Sequence, residues 1–398
     1  MLKTGVLRMK RNLYVCFVMG LFLLVTFNAC TSSTGKENVV KLNHVFLLQD
    51  SSILGVPWFV FDDKMVLGGS RNPVYEYCKL AGDSLVELDD FAYRGNGPYE
   101  FRFPDCYVSV ENRRMYVGNW NNDKMFVMEI PAADTLPGQT DWKRIELADR
   151  HQEANHVLSG SHATWCAIDD STYLVTGGES SNALGEQYTG YENFLSIVSQ
   201  GEIRPLEGLT YPDSGRIDVP IFVKRLQVYN YVNLFKRPME NQYALVGTNM
   251  GRYLILFKIV DGKAEQVKVV LDDFPQYDLD ESGVNCQYDV SQQEGFSCAY
   301  ATSQYLYLLE PPFSSLGERR AAKDYKGYPT DYSDRIVVYD WEGVRAAVYE
   351  LDVPVNNFVV SDDGSCIYAS CADLENLREG VAKFAVPVMD NEVKAAMR

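Results

Sequence analysis

From residue 41 onward the chain alternates short β-branched or aromatic runs with clusters of Asp, Asn, Gly and Pro, and almost nowhere carries the 3.6-residue periodicity of a helix. Aromatic residues number 50 in 398. A chain of this pattern is predicted to be all-β, its apolar side chains buried between sheets. Internal similarity sharpens the reading. WFVFDDKMVLGGS from Trp58, YVSVENRRMYVGNW from Tyr107, WCAIDDSTYLVTGGE from Trp165 and NFVVSDDGSCIYAS from Asn357 share one shape. A short apolar strand meets polar turn residues, and a second apolar strand ends near a small residue. RPMENQYALVGTN from Arg237 is a looser copy, and CQYDVSQQEGFSCAYAT from Cys286 the weakest.

After most copies a third and fourth strand follow, as in YLILFKIVDGKAEQVKVVL and RIVVYDWEGVRAAVYEL, hairpins turned by Asp-Gly or Glu-Gly. Four strands per unit and six units predict a six-bladed β-propeller with four-stranded blades. The last copy shows three clear strands, and the early stretch NVVKLNHVFLL has no unit of its own. That N-terminal strand is expected to complete the sixth blade and close the ring, which removes exposed sheet edges.

The N-terminus reads as an address. Lys3, Arg8, Lys10 and Arg11 precede an apolar run over residues 13–27, too short for a comfortable bilayer span, and then comes Cys30. Met9 offers a second start for the same signal. Phe27, third before a cut at Cys30, suits ordinary signal cleavage poorly and favours lipoprotein processing, with Cys30 as the lipidated residue. The expected organisation is a signal peptide over residues 1–29, a lipidated cysteine and flexible tether over 30–40, and a single domain over 41–398.

Removing residues 1–29 takes away four of 37 basic groups and none of 54 acidic ones, leaving 33 against 54, a formal charge of -21. Such a surface excludes nucleic acid as a partner and leaves membrane attachment to the acyl chains. Of nine cysteines, seven fall in the folded region, so not all can pair. Cys366 and Cys371, about 16 Å apart along one strand, are beyond disulfide reach. Most read as small buried apolar residues, with a single bridge between distant elements left open.

No catalytic constellation emerges. RGNGPYEF (residues 94–101) has two glycines, yet a proline and a strand follow where a phosphate loop needs a helix, so the glycines are predicted to turn the chain between units. Three Asp-Asp pairs, Asp62 with Asp63, Asp169 with Asp170 and Asp362 with Asp363, occupy equivalent turns and read as turn residues. His151, His156 and His162 cluster without zinc-site spacing, and no GxSxG occurs. Neither metal nor cofactor is implied.

Loop lengths say more. Long insertions at residues 177–193 and 311–334, together with RGNGPYEF, are expected on one face, gathering Tyr99, Glu100, Tyr188, Tyr191, Arg319, Arg320, Tyr325 and Tyr328. Tyrosine and arginine are the residues of binding hot spots, and long loops on rigid scaffolds carry function. The chain resembles the TolB-like six-bladed β-propeller lipoproteins of diderm bacteria in RGNGPYEF, similar to their GxGPxEF element, in RIVVYDWEGVRAAVYELDVP and in the leader. The resemblance implies a fold and an envelope location, lipid-anchored at the outer membrane, and no reaction. Two functions stay open: a non-catalytic module binding an envelope protein or glycan, which the loop composition favours, and a polysaccharide-active hydrolase or lyase with its site at the channel mouth.

Overall fold

A computed structural model of the chain describes residues 39–387 apart from 50–52, 54, 70, 102–103, 110–113, 120–123, 132–134, 150–164, 170, 177–192, 200–201, 214–215, 217, 221–222, 230–231, 249, 284 and 375–377. The all-β expectation holds. The first sheet runs Leu48–Gln49, Ser84–Phe91, Tyr75–Ala81, Lys64–Gly68, Val56–Phe61 in spatial order. The second holds Pro104–Ser109, Arg114–Asn119, Lys124–Pro131 and Lys143–Asp149; the third Trp165–Ala167, Thr172–Thr176, Leu195–Ser199 and Glu202–Pro205. The fourth holds Val232–Lys236, Tyr243–Gly247, Tyr253–Val260 and Lys263–Asp272, followed by a two-stranded ribbon, Tyr277–Leu279 with Cys286–Tyr288.

The expected six-bladed propeller of four-stranded blades is not what these sheets form. They are separate open sheets of unequal size, none closed on itself, and the C-terminal one has eight strands. The physical cause lies in the 16-residue strand Arg345–Val360. Residues 351–354, LDVP, contain no glycine or Asx turn to break the strand, and Pro354 falls outside the paired positions, where its missing N–H costs no ladder bond. The strand therefore continues from its pairing with Ser333–Asp340 into its pairing with Cys366–Asp373, and the expected boundary between two units disappears. Val39–Leu42 joins it in parallel, and His44–Phe46 pairs with Arg378–Ala385, so the N-terminal strands enlarge this sheet. The weakest repeat also divides differently: Cys286–Tyr288 belongs to the ribbon, while Cys298–Ala301 pairs with Tyr305–Leu309.

The burial pattern explains the strand composition. Lys64–Gly68, Tyr243–Gly247 and Tyr305–Leu309 are buried at every position, which is why each is almost wholly apolar, the exception being Lys64, which pairs with Asp63 at 2.6 Å. Lys263–Asp272, an edge strand, is mostly exposed and carries Lys263, Glu265 and Lys268, charges that discourage further pairing. Adjacent sheets share apolar clusters, and the eight-stranded sheet and the first bury Tyr307, Ile336, Phe358, Val60, Met65 and Leu67 in one of them. The described members of the aspartate pairs stand in turns: Asp62 adopts a left-handed φ of 48°, Asp169 accepts from Ser171 N–H at 2.8 Å, and Asp363 accepts from Ser365 N–H at 2.9 Å. The seven cysteines of the described residues are free thiols, and Cys78, Cys106, Cys166 and Cys371 are buried.

Candidate functional site

First strands of several sheets converge. Val56–Phe61, Pro104–Ser109, Trp165–Ala167, Val232–Lys236 and Cys298–Ala301, with the second half of Arg345–Val360, all send residues to one cavity of about 610 Å³. That volume lies in the range of small-ligand sites. Its wall carries a chain of aromatic contacts: Tyr300 to Phe59 at 6.3 Å between centroids, Phe59 edge-on to Tyr107 at 6.1 Å, and Tyr107 to Trp165 at 5.6 Å. Trp58 beside them is 38% exposed, its indole N–H donating to the Cys106 carbonyl at 2.9 Å. That bond fixes the ring and ties the first sheet to the second.

Polar groups interrupt the aromatic wall. Asn233, Asn356, Asn357, Thr248, Ser297 and Thr330 contribute amides and hydroxyls. The Cys298 thiol donates to Asn357 Oδ1 at 3.2 Å, and burial pushes that thiol up to about 11, so it stays protonated and unreactive at neutral pH. Burial likewise raises Tyr300 well above an ordinary phenol. Asn356 Oδ1 is buried and accepts no hydrogen bond. The charged groups of the lining are Glu294, Arg319 and Asp331. Glu294 is 4% exposed and pairs with Arg319 at 2.9 Å, which compensates a carboxylate that burial would otherwise penalise.

The insertion at residues 311–334 forms part of the rim, contributing Pro311, Arg319, Thr330 and Asp331. It is firmly seated. Ser315 caps the short helix Leu316–Ala321 by accepting from Glu318 N–H, while Glu318 accepts from Ser314. Leu316 and Gly317 donate to the Gln292 and Val290 carbonyls, and a Cβ on Gly317 would stand 2.9 Å from the Val290 carbonyl oxygen. Only glycine allows that close docking. Arg252 reaches the Phe313 carbonyl from the neighbouring sheet.

The predicted binding-face residues divide. Arg319 lines the cavity; Arg320, on the same helix, is exposed. Tyr325 and Tyr328 hold the insertion together: Tyr325 donates to Asp334 at 2.8 Å and meets Phe313 edge-on, and Tyr328 is buried against Tyr332. Burial and the Asp334 carboxylate both raise Tyr325 above the usual phenol range. Tyr99 packs, half-buried, on the core between the first and second sheets. Glu100 turns back into its own loop, where Oε2 accepts from Gly97 N–H at 2.7 Å. The glycines of RGNGPYEF do cradle an anion, and it is their own neighbour: a Cβ on Gly95 would stand 1.9 Å from that carboxylate oxygen. Tyr188, Tyr191, Cys30 and the histidines at 151, 156 and 162 lie outside the described residues.

Sequence reasoning missed the aromatic and amide lining. A signal existed, because the four clearest repeats begin at Trp58, Tyr107, Trp165 and Asn357, and all four residues line the cavity. The start of each repeat marks the position that faces inward.

No protein-family model matches the chain, and no curated protein matches it either. Among solved structures it is similar to the crystal structure of a member of the DUF4221 family from Bacteroides vulgatus ATCC 8482, with 12% sequence identity and a TM-score of 0.52 over 88% of this chain and 98% of that one. At that identity the likeness concerns the fold alone.

Proposed function

We propose that this chain is a lipid-anchored protein of the cell envelope whose all-β head is a non-catalytic binding module for a protein or glycan partner. The anchor reading rests on the basic, apolar leader ending at Cys30, and kinship with the TolB-like lipoproteins is proposed for that address rather than for the arrangement of sheets. No helix among the described residues is long and apolar enough to cross a membrane. The observation that carries the binding reading is the aromatic cavity with the insertion seated at its rim. Its buried carboxylate is committed to Arg319, and its thiol and buried tyrosine are held protonated, so the lining offers contact surface and hydrogen bonds rather than an activated nucleophile.

Two experiments test this. Cys30→Ser should abolish fatty-acid labelling and release the protein from the membrane fraction; unchanged labelling would remove the anchor. The full-length chain in detergent should capture a defined protein or glycan from envelope extract, and a variant with residues 311–334 replaced by a Gly-Ser turn should lose it while keeping its β-rich circular dichroism. Equal capture by both forms would sever binding from the insertion and the cavity rim.

A further inference from the structure

The cavity lining is chemically specific enough to name a ligand class. We infer that the cavity binds a short neutral saccharide, with a sugar ring held on the aromatic wall and a sugar hydroxyl bonded to Asn356; this rests on the binding reading above. Three features of the lining point the same way.

The first is the pairing of aromatic faces with neutral hydrogen-bonding groups. A sugar ring presents axial C–H groups on its faces, which suit the negative face of Phe59, Tyr107 or Trp58, and hydroxyls around its edge, which suit amides such as Asn233 and Asn357. A purely apolar ligand would displace water from those amides without offering a hydrogen bond in return, at the cost of their desolvation.

The second is Asn356. The residue lines the cavity, while its side-chain oxygen is shut off from solvent and accepts nothing from the protein, so a half-turn of the amide is what would present that oxygen to a ligand. A buried amide acceptor is unfavourable until a donor reaches it, and a hydroxyl both donates and accepts, so it complements either end of the amide.

The third is charge. Arg319 is the one cation of the lining among the described residues, and Glu294 already engages it at 2.9 Å. A phosphate or carboxylate ligand would find no cation in the described lining other than Arg319, whose charge already neutralises a buried carboxylate. Asp331 adds a second negative group at the exposed rim, and the whole chain carries a formal charge of -17. Acidic sugars and phosphorylated ligands are therefore disfavoured.

The test uses the full-length chain in detergent, an array of short neutral and acidic oligosaccharides, and calorimetric titration of any hit. Neutral sugars should bind. Asn356→Leu should weaken them at least about tenfold, as loss of a partner for a buried polar group does. Asn356→Ala, with unchanged melting temperature, guards against misfolding of the leucine variant. Ser297→Phe, which fills the cavity, should abolish binding. Neutral sugars bound equally well by all three variants would overturn the assignment of the cavity. Binding of acidic sugars alone would overturn the neutral class. If no sugar binds while a protein partner is still captured through the insertion, the saccharide inference fails and the binding reading stands. If neither is captured, both fail.

Discussion

Glu100 and Gly95 form a pair whose coupling can be worked out from the loop geometry. Glu100→Ala removes the acceptor of the Gly97 N–H bond at 2.7 Å. The bond is charge-assisted but half-exposed, so the loss is about 1.5 kcal/mol, the low end for hydrogen bonds to ionised groups. Gly95→Ala places a Cβ 1.9 Å from Glu100 Oε2 and 2.5 Å from its carboxyl carbon, which drives the carboxylate out of the loop and costs the same bond. The substitution also stiffens the unfolded chain, a gain of about 0.4 to 1 kcal/mol, and Gly95 is not among the left-handed glycines. In the wild type it should therefore destabilise by about 0.5 to 1 kcal/mol. In the Glu100→Ala background the clashing atoms are gone, the remaining contact being 3.3 Å to the residue-100 Cβ, and the same change should become stabilising. Guanidinium unfolding followed by tryptophan fluorescence, with midpoints compared at constant slope, reads all four forms of the cycle. A Gly95→Ala change that destabilises equally in both backgrounds would refute the claim that the glycines exist to admit Glu100.

Three further outcomes are expected. Arg319→Met strands Glu294 inside the cavity wall and should cost about 1 to 2 kcal/mol, discounted because the Arg319 side chain is 43% exposed, and adding Glu294→Gln should restore most of it in the same unfolding assay. Burial pushes the Cys78 and Cys166 thiols up to about 12, so iodoacetamide at pH 8 should label them only after unfolding in guanidinium; rapid native labelling found by peptide mapping would contradict their packing. Hydrogen bonds from Ser282 and Asn285 hold Asp280 down to about 2, below its unfolded value near 3.9, so its contribution is complete above about pH 4 and is lost as pH falls towards 2. The stability advantage of wild type over Asp280→Ala should shrink across that window, and an advantage independent of pH would sink the assignment.

The all-β class, the strand–turn–strand units and the role of the aspartate pairs were legible in the sequence because each is local. Alternation, turn chemistry and β-branched runs depend on neighbours a few residues away. The leader ending at Cys30 and the acidic balance are properties of the chain as written, and the envelope address proposed here draws on nothing else. How the units join was not local. Whether LDVP breaks a strand depended on partners at Ser333–Asp340 and Cys366–Asp373, and the tertiary pairing ran the strand through. Exposure was decided in the same way: Tyr325 and Tyr328 look like hot-spot residues in one dimension, yet Asp334, Phe313 and Tyr332 absorb them into the body of the insertion. The cavity is the clearest case, since it draws Trp58, Tyr107, Trp165, Tyr300 and Asn356 from positions about 300 residues apart. Periodicity can say that a side chain points inward; which distant side chains it meets is set by the packing of sheets on one another.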